Sequence, residues 1–432
     1  MPRRRQGRKP RPRVETRPRP RSRVREVLVF IGVAYAVIAA AYAITIPFGQ
    51  APDESAHLPY VAYLAEHRQL PVFQPGQGSY EYHQAPLYYA AAVPAYLAGM
   101  AVAPERAYVA VRLFGIVLAL GAIYLTYLLA RDFCAGQPWL AVGAAGFVAF
   151  LPMHVALSAS VTNDVAAEVP FAAGLWQMVV GARDGWRWRR VLTVGVLCGL
   201  ATLAKASGLI LLPVAWLALV LEARQEGTRR LVVKLLGLTA ASLAVCGWWL
   251  VRNWARYGDP LAFTAFMQAF ASGPRPETLI GQHLSAFNYV LWVIGWTFAS
   301  FWGVFGNMDV FLPTWGLYMP LAVLTMAATA GAALQAREYA RWEPWRRRAG
   351  WALLSALVLV GAFFVRFNMS LFQAQGRFFF LALPVIAIIL VAGWGRLFPR
   401  GWRGTAHALL WVALIALAAA ALPVWILPQW AR

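Results

Sequence analysis

From Val27 to the C-terminus the chain is built from recurring apolar runs of 17 to 25 residues. At about 1.5 Å per residue, each can cross a hydrocarbon layer about 30 Å thick. Only a helix satisfies its own backbone hydrogen bonds in that layer, so the runs dictate an all-α polytopic membrane protein. The composition agrees: 60% of the 432 residues are hydrophobic and 13% charged, about half the charge density of a water-soluble domain. Cys134, Cys198 and Cys246 are far apart and odd in number, and read as packing residues, not as a disulfide framework or zinc site.

The formal charge of +21 is unevenly placed. Residues 1–26 carry eleven Arg and Lys9 against Glu15 and Glu26, with Pro interspersed and no apolar periodicity. Such a segment reads as a disordered basic cytoplasmic tail that fixes orientation and touches anionic lipid, with no nucleic acid as partner. Further Arg-rich loops fall at Arg183 to Arg190, Arg224 to Lys234, Arg337 to Arg348 and Arg396 to Arg403. If all face the cytoplasm with the tail, an even number of crossings separates each from the next. That condition selects about eleven transmembrane helices, near 27–47, 108–130, 138–157, 165–182, 190–204, 207–222, 231–250, 316–335, 349–365, 377–395 and 404–427. Two more apolar stretches, 86–103 and 285–305, are then expected as juxtamembrane helices on the outer face.

With this topology the unusual polar residues collect on the outer side. The first outer loop, 48–107, opens with "APDESAHLPYVAYL" and continues through "YEYHQAPLYY", supplying Asp53, Glu54, His57, Glu81, His83 and Gln84. Arg112, Asn163, Asp164 and Lys205 follow, then Arg252 and Asn253 at the start of a second large outer loop, 251–315, and finally Gln375 and Arg377. Each has an ordinary explanation when taken singly. Asp53 after Pro52 suits a helix N-cap, while "SVTND" to Asp164 is common turn chemistry. Snorkelling serves for Lys205, Arg252 and Arg377, and an interfacial belt for Tyr88 and Tyr89. Together, three cations at one depth beside aromatic residues suit a shared anionic ligand. Asp53, Glu54, His57, Glu81 and His83 match no standard metal spacing, so no metal ligand is assigned and a divalent metal is left open as a cofactor.

No GxxxxGK[ST] or strand-borne GxGxxG occurs, and the inferred cleft opens away from the cytoplasm. An enzyme there needs a substrate delivered by the membrane, and a lipid-linked phosphate fits: its tail partitions between helices while its phosphate seeks the cations. A carboxylate can act as general base on an incoming hydroxyl as the cations stabilise the leaving phosphate. The rival class is a polytopic transporter or flippase for a lipid-linked or anionic substrate, which should carry polar residues near the midplane.

The residues also resemble a family. Asp53-Glu54 in the first outer loop, "YEYHQAPLYY", "YVAVRLFG" with Arg112, "RNWARYGDPL" and "QGRFFFLALP" are similar to the GT-C membrane glycosyltransferases, in the bacterial branches related to protein O-mannosyltransferases and the aminoarabinose transferase. The likeness spans roughly residues 27–395, and 27–432 becomes a GT-C-like transmembrane domain. It implies inverting transfer of a sugar from a polyprenyl-phosphate donor to a glycan, lipid or protein acceptor. It also implies a bacterial inner membrane setting with the active site facing outside, and the arginine count expects the N-terminus in the cytoplasm. By the same resemblance Asp53 is the candidate catalytic base, Glu54 its acidic neighbour and Arg112 an arginine beside them; the residues propose Lys205, Arg252 and Arg377 for the donor phosphate. His57, Glu81, His83, Gln84, Asn253 and Gln375 complete the expected substrate-binding set. No sizeable soluble domain follows the last run, so acceptor specificity is expected to come from the outer loops.

Overall fold

A computed structural model describes residues 20–223, 227–280 and 284–430. The basic tail up to residue 19 lies outside the described residues, whereas Pro20 to Glu26, expected within it, already belong to the first helix. In chain order the helices are α1 Pro20–Thr45, α2 Glu54–His67, α3 Leu87–Val102, α4 Ala107–Phe133, α5 Pro138–Phe150, α6 Pro152–Ser158, α7 Asp164–Asp184, α8 Trp188–Ala204 and α9 Leu211–Ala223. There follow α10 Thr228–Tyr257, α11 Phe263–Ala269, α12 Pro276–Leu279, α13 Ala286–Gly303, α14 Met319–Ala336, α15 Pro344–Asn368, α16 Leu383–Arg396 and α17 Arg403–Ala421. One two-stranded hairpin, β1 Val304–Phe305 with β2 Val310–Phe311, follows α13.

Among the described residues eight helices are long and apolar enough to span a membrane, and nine if the bent pair α5 and α6 counts as one. The chain is a multi-pass membrane protein. The 61° bend between α5 and α6 lies at Leu151, held extended before Pro152, where ring sterics disfavour helix for the preceding residue. The expected spans 190–204 and 207–222 become α8 and a short apolar helix, Ala206–Glu222, separated at Lys205, whose backbone is extended (φ −156°, ψ 138°). The break leaves the lysine at a helix end.

Every residue of α5 from Leu140 to Phe150 is buried, and so is most of α7, so these two helices form the centre of the bundle. By contrast α1 presents Val29, Val33, Val37 and Ile44 outward, a stripe suited to lipid. Dispersion rather than water exclusion must hold helices together in lipid, so backbones approach closely where side chains are small. Gly195 and Gly199 of α8 do this: a Cβ on Gly199 would sit 2.6 Å from the Ser242 carbonyl oxygen of α10, and one on Gly195 would strike that of Leu238.

One ionic tie joins the elements at the end of the bundle where α2 begins. Glu54 and Arg112 are 0% and 1% exposed, and Arg112 Nε and Nη2 donate to Glu54 Oε1 and Oε2 at 2.8 and 2.6 Å. Arg112 Nη1 also donates to the carbonyls of Ala43 (2.8 Å) and Ile46 (2.6 Å), and Nη2 to that of Pro47 (3.2 Å). Glu54 accepts the backbone N–H of Gly49 at 3.0 Å and of Val161 at 2.9 Å. The C-terminal end of α1, the start of α2, α4 and the turn before α7 thus meet on one bidentate pair. Breaking a buried pair strands the remaining charge, at a cost of about 3–5 kcal/mol. Arg112→Met should therefore lower the thermal midpoint of the detergent-solubilised protein sharply and reduce its yield; an unchanged midpoint would mean that the pair does not hold these elements.

Candidate active site

Asp53 stands at the N-cap of α2 with φ 60° and ψ 3°, a left-handed conformation that Asp tolerates better than most side chains but that still costs energy. Its carboxylate makes no capping bond. Instead Tyr80 donates its hydroxyl to Asp53 Oδ1 at 2.9 Å and Arg377 Nη2 donates to Oδ2 at 2.7 Å. The backbone twist thus turns Asp53 into a cavity while Glu54, its neighbour, faces Arg112 behind the wall.

Arg377 reaches the site through a close approach. Gly376 donates its N–H to Ser300 Oγ at 2.8 Å, and a Cβ there would collide with the Phe301 backbone of α13, so the "QGR" glycine lets this segment press against α13. From that position Arg377 Nη1 lies 3.5 Å from Asp164 Oδ2, and Asp164 Oδ1 accepts a short bond from the Lys205 ammonium. Asp53, Arg377, Asp164 and Lys205 form a charge-alternating chain drawn from four separate segments.

A second set lies next to it. Asp53, His57 and Glu81 each offer one ligand atom, all within 4.8 Å of one another. His57 Nδ1 lies 2.8 Å from the Tyr89 hydroxyl, and Tyr89 stacks on Tyr60 with ring centroids 3.9 Å apart, which fixes the imidazole. With Nδ1 engaged, Nε2 is the nitrogen left to face a ligand. Glu81 is placed by a 3-10 turn, Tyr80–His83, capped by Ser79, and its Oε2 is buried with no hydrogen-bond partner. The nearby His83 Nδ1 is 2.7 Å from the Tyr80 carbonyl oxygen.

Burial acts to raise the Asp53 carboxyl, but the Arg377 charge, the His57 ring and the hydrogen bonds from Arg377 and Tyr80 outweigh it and hold it down at about 2. Glu81 is driven up by burial and by Asp53, with His57 opposing. Burial lowers His57, partly offset by Glu81 and Asp53, and takes His83 down to about 4 against the Tyr80 carbonyl. At neutral pH Asp53 is therefore ionised beside Arg377.

The cavity measures about 220 Å³. Asp53, His57, Glu81, Gln84, Asp164 and Lys205 are on its lining, as are His83, Asn163 and Arg377. Facing these, Phe263, Phe266, Phe270, Phe363, Phe367 and Phe378 supply an apolar wall. Of the expected residues, Glu54 and Arg112 lie outside the lining, in the buried pair behind it. Arg252, Asn253 and Gln375 are also outside. Arg252 Nη2 donates to the Pro71 carbonyl at 2.5 Å, tying α10 to the segment after α2, and Asn253 to that of Pro260 at 3.2 Å, which seats the segment leading into α11. Gln375 donates to Gln373 at 2.9 Å, and Gln373 is the one on the lining. Asp164 is the main residue that sequence reasoning passed over: turn chemistry explained it locally, and the signal against that reading was an acid at the same depth as Lys205.

Comparison with known proteins bears on this geometry. Residues 91–250 match the family model described as dolichyl-phosphate-mannose-protein mannosyltransferase. ArnT from Cupriavidus metallidurans is 17% identical in its apo structure (TM-score 0.54) and 19% identical in the structure bound to undecaprenyl phosphate (TM-score 0.52). Each alignment covers 91% of this chain and 64% of that one. The oligosaccharyltransferase AglB from Archaeoglobus fulgidus, in complex with an inhibitory peptide and a dolichol-phosphate, is 16% identical with a TM-score of 0.53, covering 92% of this chain and 54% of that one. The chain has the GT-C fold. It spans between about half and two thirds of the length of these structures. No curated protein sequence matches it at comparable significance.

Proposed function

We propose that this chain is an inverting membrane glycosyltransferase that moves a sugar from a polyprenyl-phosphate donor to a glycan, lipid or protein acceptor. The observation that carries this reading is Asp53: a carboxylate held in a strained left-handed conformation, aimed into a cavity with Arg377 and Lys205 beside it and a phenylalanine wall opposite. The GT-C fold supports it, as do the undecaprenyl phosphate and dolichol-phosphate bound to ArnT and AglB. We place the site on the extracytoplasmic face of a bacterial inner membrane, with the N-terminus in the cytoplasm, as the arginine distribution favours.

In this mechanism the isoprenoid lies along the phenylalanine wall and its phosphate engages Arg377 and Lys205. Asp53 removes the proton of the acceptor hydroxyl as its oxygen attacks the anomeric carbon. The bond from that carbon to the phosphate oxygen breaks on the opposite face, inverting the centre, and polyprenyl phosphate departs with its negative charge stabilised by the two cations. Donor binding also prepares the base. A phosphate on Arg377 draws away the cation that most depresses Asp53, leaving a more basic carboxylate when the hydroxyl arrives.

A divalent cation fits the second set of groups, because two carboxylates and a neutral imidazole make a suitable donor set and the buried Glu81 Oε2 lacks a partner. Asp53, His57 and Glu81 would hold it, and bound there it would add positive charge near the departing phosphate.

Asp53→Asn should lower transfer from radiolabelled polyprenyl-phosphate sugar by about 10²–10⁴-fold while leaving insertion and donor binding in place; full activity would remove Asp53 as base. In Arg377→Gln the largest influence lowering Asp53 is lost and desolvation remains to raise it. The acid limb of the kcat/KM profile should therefore move to higher pH, and a limb that stays put would show that another group titrates. Equilibrium dialysis of the purified protein against Mn²⁺ or Zn²⁺ should find one bound ion per chain, with affinity falling more than about tenfold in Glu81→Gln. Equal affinity in that variant would take the cation out of this site.

A further inference from the structure

A larger cavity, about 580 Å³, lies at the opposite end of the bundle between α4, α14, α15 and α16. Helix α15 runs between the two: Arg346 in its first turn lines this groove, and Phe363, seventeen residues on, lines the candidate active site. That separation is about 25 Å, close to a hydrocarbon thickness, so the groove sits in the other leaflet. Its walls are apolar, with Ala332, Leu353, Val385 and Ile388 among them, and Trp351 and Leu354 are 52% and 41% exposed at its side, where it opens laterally.

Arg346 is the anomaly in this groove. Its guanidinium lies over the rings of Trp342 at 4.5 Å and Phe133 at 5.2 Å, with the Cys134 thiol as its polar neighbour. Its Nε is buried without an acceptor, and no carboxylate pairs with it among the described residues. Two nearby cations do have carboxylate partners: Arg348 takes Glu222 at 2.6 Å and Arg396 takes Glu338 at 3.0 Å. Moreover, Arg346 and Arg347 fall in the first turn of α15 and Arg348 follows; that turn contains no acid and the N-cap Glu343 makes no side-chain capping bond, although free N–H groups and the helix dipole favour an anion there. A boxed guanidinium without a counter-ion, at the rim of an apolar slot open to lipid, calls for an anion attached to a hydrocarbon tail.

We propose that this groove binds one anionic glycerophospholipid of the leaflet remote from the candidate active site, an acyl chain lying against Leu353 and Ile388 and the phosphate on Arg346. The site is independent of the reaction proposed above. Native mass spectrometry of the full-length protein with phosphatidylglycerol and phosphatidylcholine tests it. One phosphatidylglycerol should be retained per chain with at least about tenfold preference over phosphatidylcholine. Arg346→Gln should abolish the preference, and Ala333→Trp, which fills the slot from α14 with Arg346 intact, should lower retention of both lipids. Equal retention of the two lipids by the wild type, or phosphatidylglycerol retention unaltered in Ala333→Trp, overturns the proposal. Displacement of phosphatidylglycerol by equimolar polyprenyl phosphate overturns it as well, by assigning the groove to the isoprenoid. Should Arg346→Gln fail to fold, the wild-type lipid preference and Ala333→Trp decide the outcome.

Discussion

The pairing of Glu54 with Arg112 is the constraint on which the site rests. All five guanidinium N–H groups can be accounted for, two on the carboxylate and the others on the carbonyls of Ala43, Ile46 and Pro47. The carboxylate in turn takes four donors, two from Arg112 and the N–H groups of Gly49 and Val161. A buried ion pair is tolerable only when its remaining valences are filled in this way. The consequence reaches the preceding residue: with Glu54 locked inward, Asp53 faces the other way and does so at φ 60°. The strained Asp53 thus sits directly beside the strut, and the two acids of "DE" serve opposite faces of one wall.

In the resting site the cations are already neutralised. Arg377 bridges Asp53 and Asp164, and Lys205 takes the other side of Asp164, so the four charges sum to zero. A phosphate entering this chain competes with two carboxylates, so it gains a cation only as an acid loses one. Such an exchange leaves surplus negative charge in a low-dielectric site, which favours protonation of a carboxylate. In the proposed reaction it also sets the order of events, because Asp53 gains basicity as its arginine is drawn toward the donor.

Much of the architecture was legible because bilayer physics leaves few choices. Apolar run length and arginine placement marked the long helices, and the convergence of polar residues at one end followed from the same parity argument. The structure differs where the deciding contact is tertiary. Residues 190–204 and 207–222 read as two apolar helices parted at Lys205, and the structure keeps those bounds; what no local pattern shows is the lysine's partner, Asp164, forty-one residues away. Asp164 itself sat in a sequence that a turn explains. Arg252 and Asn253 carried the right chemistry at the right depth, but the carbonyls of Pro71 and Pro260 claim them. Local pattern identifies which side chains need partners, and only packing decides which partner each one gets.

The depth of the polar layer favours the proposed transferase over a conduit. Along α7 the site acid Asp164 is followed one turn deeper by Glu168, which meets His154 at 3.0 Å, with both side chains buried. Beyond that turn α7 continues through Pro170, Phe171 and Leu175, against the uniformly buried α5. A transporter of a charged solute would need polar groups or water further along this axis, at the midplane and past it. Here the ionisable chain stops about one helical turn below the cavity, and a close-packed apolar centre separates it from the arginine cluster at the far end. In the proposed reaction the lipid-linked donor would then enter and leave on one side, its hydrocarbon against the phenylalanines, with the bundle core acting as a floor.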